Sequence, residues 1–234
     1  MLRRQLLTAL LVTIVLTIGL GVVYPVVVWG VAQVAFHHQA NGSLVLRNGK
    51  AVGSSLIGQE FTDKAGNPLL QYFQPRPSAA GNGYDPTASS ASNLGPSSPA
   101  LLAPCLPVPA TDSNGKPVVD SHGNPVNQTN PDGSPVCNPN TVPQRVLAYR
   151  QLNGLPPGAP VPVDAVTASG SGLDPDISVA NALDQANRVA TARHLDLGQV
   201  TALIRQHTRT RPWGILGENT VNVLDVNLAL DKLP

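Results

Sequence analysis

Charge is what this sequence has least of. No Asp, Glu, Lys or Arg occurs between Arg4 and Arg47, and only 12% of the 234 residues are charged. Fifteen basic and 14 acidic residues leave a net charge of +1, which excludes a basic footprint for nucleic acid and a polybasic patch for anionic lipid. Aromatics are scarce at 4%. Signatures of chemistry are missing as well. The chain has no G-x-x-x-x-G-K-[ST] phosphate loop and no G-x-S-x-G elbow. It also lacks H-E-x-x-H and Cys-x-x-Cys. His37, His38, His122, His194 and His207 have no ligand spacing, and the neighbours His37 and His38 do not share a helix face.

The uncharged N-terminus is instead a long apolar run. A spanning helix needs about 20 apolar residues, and residues 6–24 alone nearly supply them. A cleaved signal would have an apolar region of about 7–15 residues and a small-residue cleavage site, so residues 6–36 read as a retained transmembrane anchor. Pro25 is expected to kink or end the helix, with Tyr24 and Trp29 at an interface. Arg3 and Arg4 flank one side only. By the positive-inside rule residues 1–5 are cytoplasmic, and residues 37–234 form an extracytoplasmic domain at the cell membrane.

Pro (23) and Gly (21) are abundant in that domain. Asn48–Gly49 between alternating segments marks a two-residue hairpin. Residues 99–143 read as an irregular Pro/Asn-rich insertion, with turn chemistry at 130–133. The only two cysteines, Cys105 and Cys137, suit a disulfide in an oxidising compartment; two free thiols in a loose loop are the alternative. A short helix is expected over 143–152, with Pro143 in its first turn, and a strand over 161–167. Asp174 or Ser178 caps a helix reaching Arg193, with an Asp184–Arg188 pair on its surface. Asp196 caps a further helix that Pro212 ends. Asp174 and Asp176 read as a helix entry with favourable dipole charge. The pattern is that of a small α+β domain behind one transmembrane helix.

A series of segments resembles one family. They are 21–25 (GVVYP), 53–59 (GSSLIGQ), 71–73 (QYF) and 76–78 (RPS), then 84–86 (YDP) and 91–96 (ASNLGP). Further on come 161–163 (VPV), 166–178 (VTASGSGLDPDIS), 188–190 (RVA) with Arg193, and 221–231 (VNVLDVNLALD). In this order they are similar to the C subunit of the bacterial Kdp-type potassium-transporting P-type ATPase. Residues 101–143 and their cysteine pair depart from that pattern. Asp63–Lys64–Ala65–Gly66 resembles the phosphorylated Asp-Lys-Thr-Gly of P-type ATPases, but the Thr is missing and the segment reads as a turn.

The resemblance implies a subunit that is not an enzyme by itself. Its partners would be a channel-like potassium-binding subunit, a P-type ATPase catalytic subunit and a small membrane peptide. It implies assembly of the pump, a soluble domain over the outer face of the channel-like subunit, and a catalytic-chaperone role that raises ATP affinity of the ATPase subunit. ATP enters on the resemblance alone. Residues 81–96 carry one charge, Asp85; with Asn82, Tyr84, Ser92 and Asn93 they form a candidate segment for the ion path or for packing against a partner. The competing class is an independent anchored module that binds a ligand or the cell wall.

Overall fold

The computed structural model describes residues 2–233, which divide into two compact units meeting between Leu56 and Ile57. The first holds a single apolar helical run, Leu2–Ala35, of 34 residues. It comprises α1 (Leu2–Ile18), a π-helical turn (Gly19–Val23) and α2 (Tyr24–Ala35). Of the two outcomes expected at Pro25, a kink or an end, the helix does not end: it runs on to Ala35 behind a π-helical turn. Tyr24 N–H reaches back five residues to the Gly19 carbonyl, so the register widens where the proline has no N–H to give. At about 1.5 Å per residue the run exceeds the roughly 30 Å of a bilayer core. A single turn, α3 (His37–Ala40), then leads to a hairpin of β1 (Leu44–Arg47) and β2 (Lys50–Ser54). Asn48 and Gly49 both take positive φ at its tip, as a two-residue primed turn requires.

In the second unit, α4 (Pro99–Leu102) and α5 (Val142–Asn153) precede β3 (Asp176–Ser178), α6 (Val179–Arg193) and α7 (Leu197–Gln206). After them come β4 (Thr208–Arg209), β5 (Thr220–Asn222) and α8 (Val223–Leu230). The three strands form an antiparallel sheet in the order β3–β5–β4. Ser178 caps α6 by accepting from Asn181 N–H, and Asp196 forms a capping box with Gln199 at α7. Each cap satisfies donors that a helix start leaves free. The core gathers Ile177 and Val221 from the sheet with Ala182, Ala186 and Val189 of α6. Val200 and Ile204 of α7, Val226 and Leu230 of α8, and Phe73 complete it.

Three local expectations are corrected. Within residues 161–167 only a 3₁₀ turn forms, at Val163–Ala165. Asp164 there accepts from the backbone and hydroxyl of Ser178 and from Asn181, at 2.8–3.0 Å, so the segment buttresses a helix start rather than joining a sheet. Helix α7 stops at Gln206, six residues before Pro212, because Thr208 and Arg209 pair with β5. Arg188 turns inward instead of lying along the surface beside Asp184. It donates to Asn153 and Gln185 and to the carbonyls of Leu70 and Tyr72.

Residues 105–138 contain none of the named strands, yet their backbone is closely ordered. The backbone closes two rings of three hydrogen bonds each. In one, Ala110 donates to Val126, Val126 to Val118, and Val118 to Ala110, at 2.7–2.9 Å. In the other, Val108 donates to Val136, Val136 to Gln128, and Gln128 to Val108, at 2.8–2.9 Å. Three tight turns radiate from the rings, at 112–116, 120–124 and 130–134. Pro107, Pro109, Pro117, Pro125 and Pro135 all sit at alternate positions whose N–H the rings do not use, so proline costs the segment no bond. Cys105 and Cys137, with Cα atoms 4.8 Å apart, are disulfide-bonded at the base.

Candidate functional site

Several of the family-like segments meet in the second unit. Residues 76–94 wrap over the loop 169–176, and Gly58 closes the far side. Ser78 is the hub: its hydroxyl donates to the Gly172 carbonyl at 2.6 Å and accepts from the N–H groups of Ala80 and Tyr84. Ser89 Oγ and Ser90 N–H both donate to the Ser171 carbonyl. Ser169 Oγ accepts from Gly172 N–H. Arg76 pairs with Asp174 at 2.9 Å. The serine hydroxyls of these segments therefore satisfy backbone groups, from exposed to buried, in a region without regular structure.

Two glycines are dictated by close approach. A Cβ on Gly58 would stand 2.3 Å from the Tyr84 ring and 2.5 Å from the Asp174 carbonyl. A Cβ on Gly172 would stand 2.6 Å from the Ser90 carbonyl, at a φ of +69°. Tyr84 is buried, with its hydroxyl 3.1 Å from the carbonyls of both Arg76 and Asp174. Burial, reinforced by the Asp174 charge, pushes its phenol well above the usual range.

The candidate segment thus separates into an anchor and a surface. Tyr84 is the anchor and faces inward. Asn82, Ser92 and Asn93 are exposed and Asp85 is half-buried. Asp85 accepts from the N–H and hydroxyl of Thr87, and these bonds hold its carboxyl below the ordinary aspartate value. Asn93 holds a positive φ of 54°. What this face offers is a run of neutral polar groups with one carboxylate.

Sequence reasoning missed the clasp beneath it. Residues 70–72 make a turn and residues 73–76 follow it without a strand partner, and side chains take the partner's place. The Asn227 amide accepts from Phe73 N–H and donates to Phe73 C=O, at 2.9 and 3.0 Å. The Gln185 amide does the same for Gln74, at 2.7 and 3.1 Å. Arg193 bonds the Gln71 carbonyl and Asp231, and lies over the Tyr72 ring. Burial pulls the Arg188 guanidinium down to about 10, so it stays charged at neutral pH. The amides at 185 and 227, on otherwise apolar helix faces, were the available signal.

Beside the clasp lies a cleft of about 740 Å³ lined by Glu60, Gln74, Arg76, Arg145, Tyr149 and Gln185. Its amides and its tyrosine are engaged with neighbouring groups. Among the described residues no three His, Cys, Asp or Glu side chains are placed to hold a metal ion. Asp63, in the segment that resembles a phosphorylation motif, accepts from the N–H groups of Ala65 and Asn67 and closes a turn.

Residues 6–106 and 119–232 match the family model described as KdpC, K+-transporting ATPase, c chain. The unmatched stretch falls inside the ringed segment. A potassium-transporting ATPase KdpC subunit of Mycobacterium tuberculosis is 48% identical over 231 residues, covering 99% of this chain and all of the relative. The KdpC subunit of Kineococcus radiotolerans is 45% identical over 98% of this chain and 94% of its own. That of Rhodospirillum rubrum is 44% identical over 98% and 96%. The family model and the full-length likeness agree: the chain belongs to the KdpC family, a subunit of the K+-transporting ATPase complex that is not catalytic by itself.

Proposed function

We propose that the chain is the single-span assembly subunit of a potassium uptake pump, with residues 37–234 outside the cytoplasm. The apolar helix provides the membrane anchor, and Arg3 and Arg4 at its start argue for a cytoplasmic N-terminus. The observation that supports the reading is that Gly58, residues 76–90 and residues 169–174, drawn from family-like segments, pack together beside an exposed polar surface. That is what a docking subunit needs and what a hydrolase does not. Partners of this face would be a channel-like potassium-binding subunit and, through the membrane, the P-type ATPase subunit and a small membrane peptide. The catalytic-chaperone role, raising ATP affinity of the ATPase subunit, belongs to the same proposal; it would act at long range and needs two global states that both sides bias.

Affinity capture of the tagged full-length chain in mild detergent tests the assignment. Co-recovery of a P-type ATPase and a multi-span channel-like protein is expected. Recovery of the chain alone, with both partners expressed, would transfer the assignment to an independent surface module. Within the assembled pump, Asp85→Asn separates an ion-path role, which changes potassium affinity, from packing, which leaves it unchanged.

A further inference from the structure

The connection between β4 and β5 has an unusual end. Pro212–Gly214 forms a 3₁₀ turn in which Trp213 itself has positive φ, 53°, followed by Gly214 at 77° and Gly217 at 69°. A bulky residue rarely holds that conformation unless something rewards it. Backbone bonds from Gly214 N–H to the Arg211 carbonyl and from Leu216 N–H to the Pro212 carbonyl close the turn, but they leave the side chains outside the fold: Trp213 is 88% exposed, Ile215 79% and Leu216 49%. Among the described residues from 57 onward, no other large apolar side chain exceeds the 73% of Val163. Trp213, Ile215 and Leu216 fall within four consecutive residues at one hairpin tip, which distinguishes them from scattered exposed side chains.

The composition of the tip selects its medium. From Pro212 to Gly217 there is no charged, hydroxyl or amide side chain, and the one side-chain donor is the indole N–H. A specific protein interface carries about one hydrogen bond per 100–200 Å², and this tip is poorly equipped to make them. An indole with a flanking pair of aliphatic side chains suits the boundary between headgroups and acyl chains, where the ring is desolvated and its N–H stays wet. The chain supplies the bilayer. Its apolar helix tethers the second unit to a membrane, so even weak insertion acts at high effective concentration.

We propose that the β4–β5 tip is a second, shallow membrane anchor, with Trp213, Ile215 and Leu216 inserted into the lipid interface of the bilayer that the N-terminal helix crosses. The proposal rests on the reading of that helix as a membrane span. Two anchors would restrict how the second unit turns about its tether, and so present one face to its partners.

Trp29 and Trp213 are the only tryptophans, so in the full-length Trp29→Phe chain emission reports Trp213 alone. Reconstituted in phosphatidylcholine nanodiscs, its emission should be blue-shifted, and brominated acyl chains should quench it about twofold or more. In an Ile215→Cys chain, with Cys105 and Cys137 disulfide-bonded, the new cysteine is the free thiol, and an environment-sensitive label on it should report an apolar setting. Water-like, unquenched emission from a chain retained in the discs would overturn the lipid anchor while leaving the span intact. Shielding that arises only when the other pump subunits are added would also overturn it, in favour of a protein partner. Loss of the chain from the discs would overturn both readings.

Discussion

The clasp around residues 70–76 and the ringed segment 105–138 solve one problem in opposite ways. Both must satisfy extended backbone without a regular sheet. The clasp lies against the core, where Phe73 is fully buried, and there side chains do the pairing: the buried Asn227, Gln185 and Arg188 and the half-buried Arg193. The ringed segment has almost no core, with most of residues 111–135 exposed. Its backbone pairs with itself, and a disulfide holds its base. Where apolar burial supplies the energy, side-chain amides give specificity. Where burial is absent, local turns and a covalent link have to suffice.

Breaking the clasp should have the largest effect. Arg188→Met keeps an apolar stem but removes the donor from the carbonyls of Leu70 and Tyr72 and from Asn153 and Gln185. A buried acceptor left unpaired costs about 1–3 kcal/mol; with two of the four bonds buried and two part-buried, a global loss of about 4 kcal/mol is expected. Hydrogen exchange of the Val189 and Ile204 amides, both in the core, would read it. Unchanged protection there would mean that the clasp is incidental to the fold.

Replacing both cysteines by serine comes next in size and should be local. The bridge closes a loop of 32 residues' separation, for which the chain-entropy model gives about 3–4 kcal/mol. Protection should fall at Val108, Ala110, Val118, Val126, Gln128 and Val136 while Val189 and Ile204 keep theirs. Equal losses in both regions would show that the two are one cooperative unit. Asn227→Leu is smaller, about 2 kcal/mol, because it frees one N–H and one C=O of a single residue.

How legible each region was follows from the same contrast. The helix starts could be read because a cap is a local code: Ser178 and Asp196 sit one residue before their helices. The hairpin at Asn48–Gly49 is local in the same sense. The clasp was not legible, since Gln74 and Gln185 are 111 residues apart and nothing near either announces the other. For the same reason the helix spacing pairs Arg188 with Asp184, a neighbour on the helix, whereas the fold offers it two buried side-chain acceptors and two part-buried carbonyls. Residues 161–167 have strand composition but lie where Ser178 needs a carboxylate, so Asp164 decides their conformation. The ringed segment was read as irregular because its order lies in which N–H groups go unused, a pattern that Pro at alternate positions records but that strand periodicity does not. In the candidate site, the glycines and serines were visible as family-like motifs, and the inward turn of Tyr84 was not.

Acid should separate the two regions most gently. In the ringed segment Asp120 accepts from the N–H groups of His122 and Asn124, and Asp132 from Ser134. These hydrogen bonds hold both carboxyls below the ordinary aspartate value, near 3.9 for an unfolded chain. A depressed folded value means that the unfolded chain binds protons first as pH falls, so the stabilisation is complete above about 4 and is lost as pH drops through the folded values. The clasp contains no such turn, and its amides and guanidinium groups do not titrate in that window. Between pH 5 and pH 3, protection of the Gly123 and Gly133 amides, which close these turns, should therefore fall before that of Phe73 and Gln74. The reverse order would mean that the clasp, through Asp231 and its bond to Arg193, is the more acid-sensitive of the two, and that buried side-chain pairing is the weaker way of holding an unpaired strand.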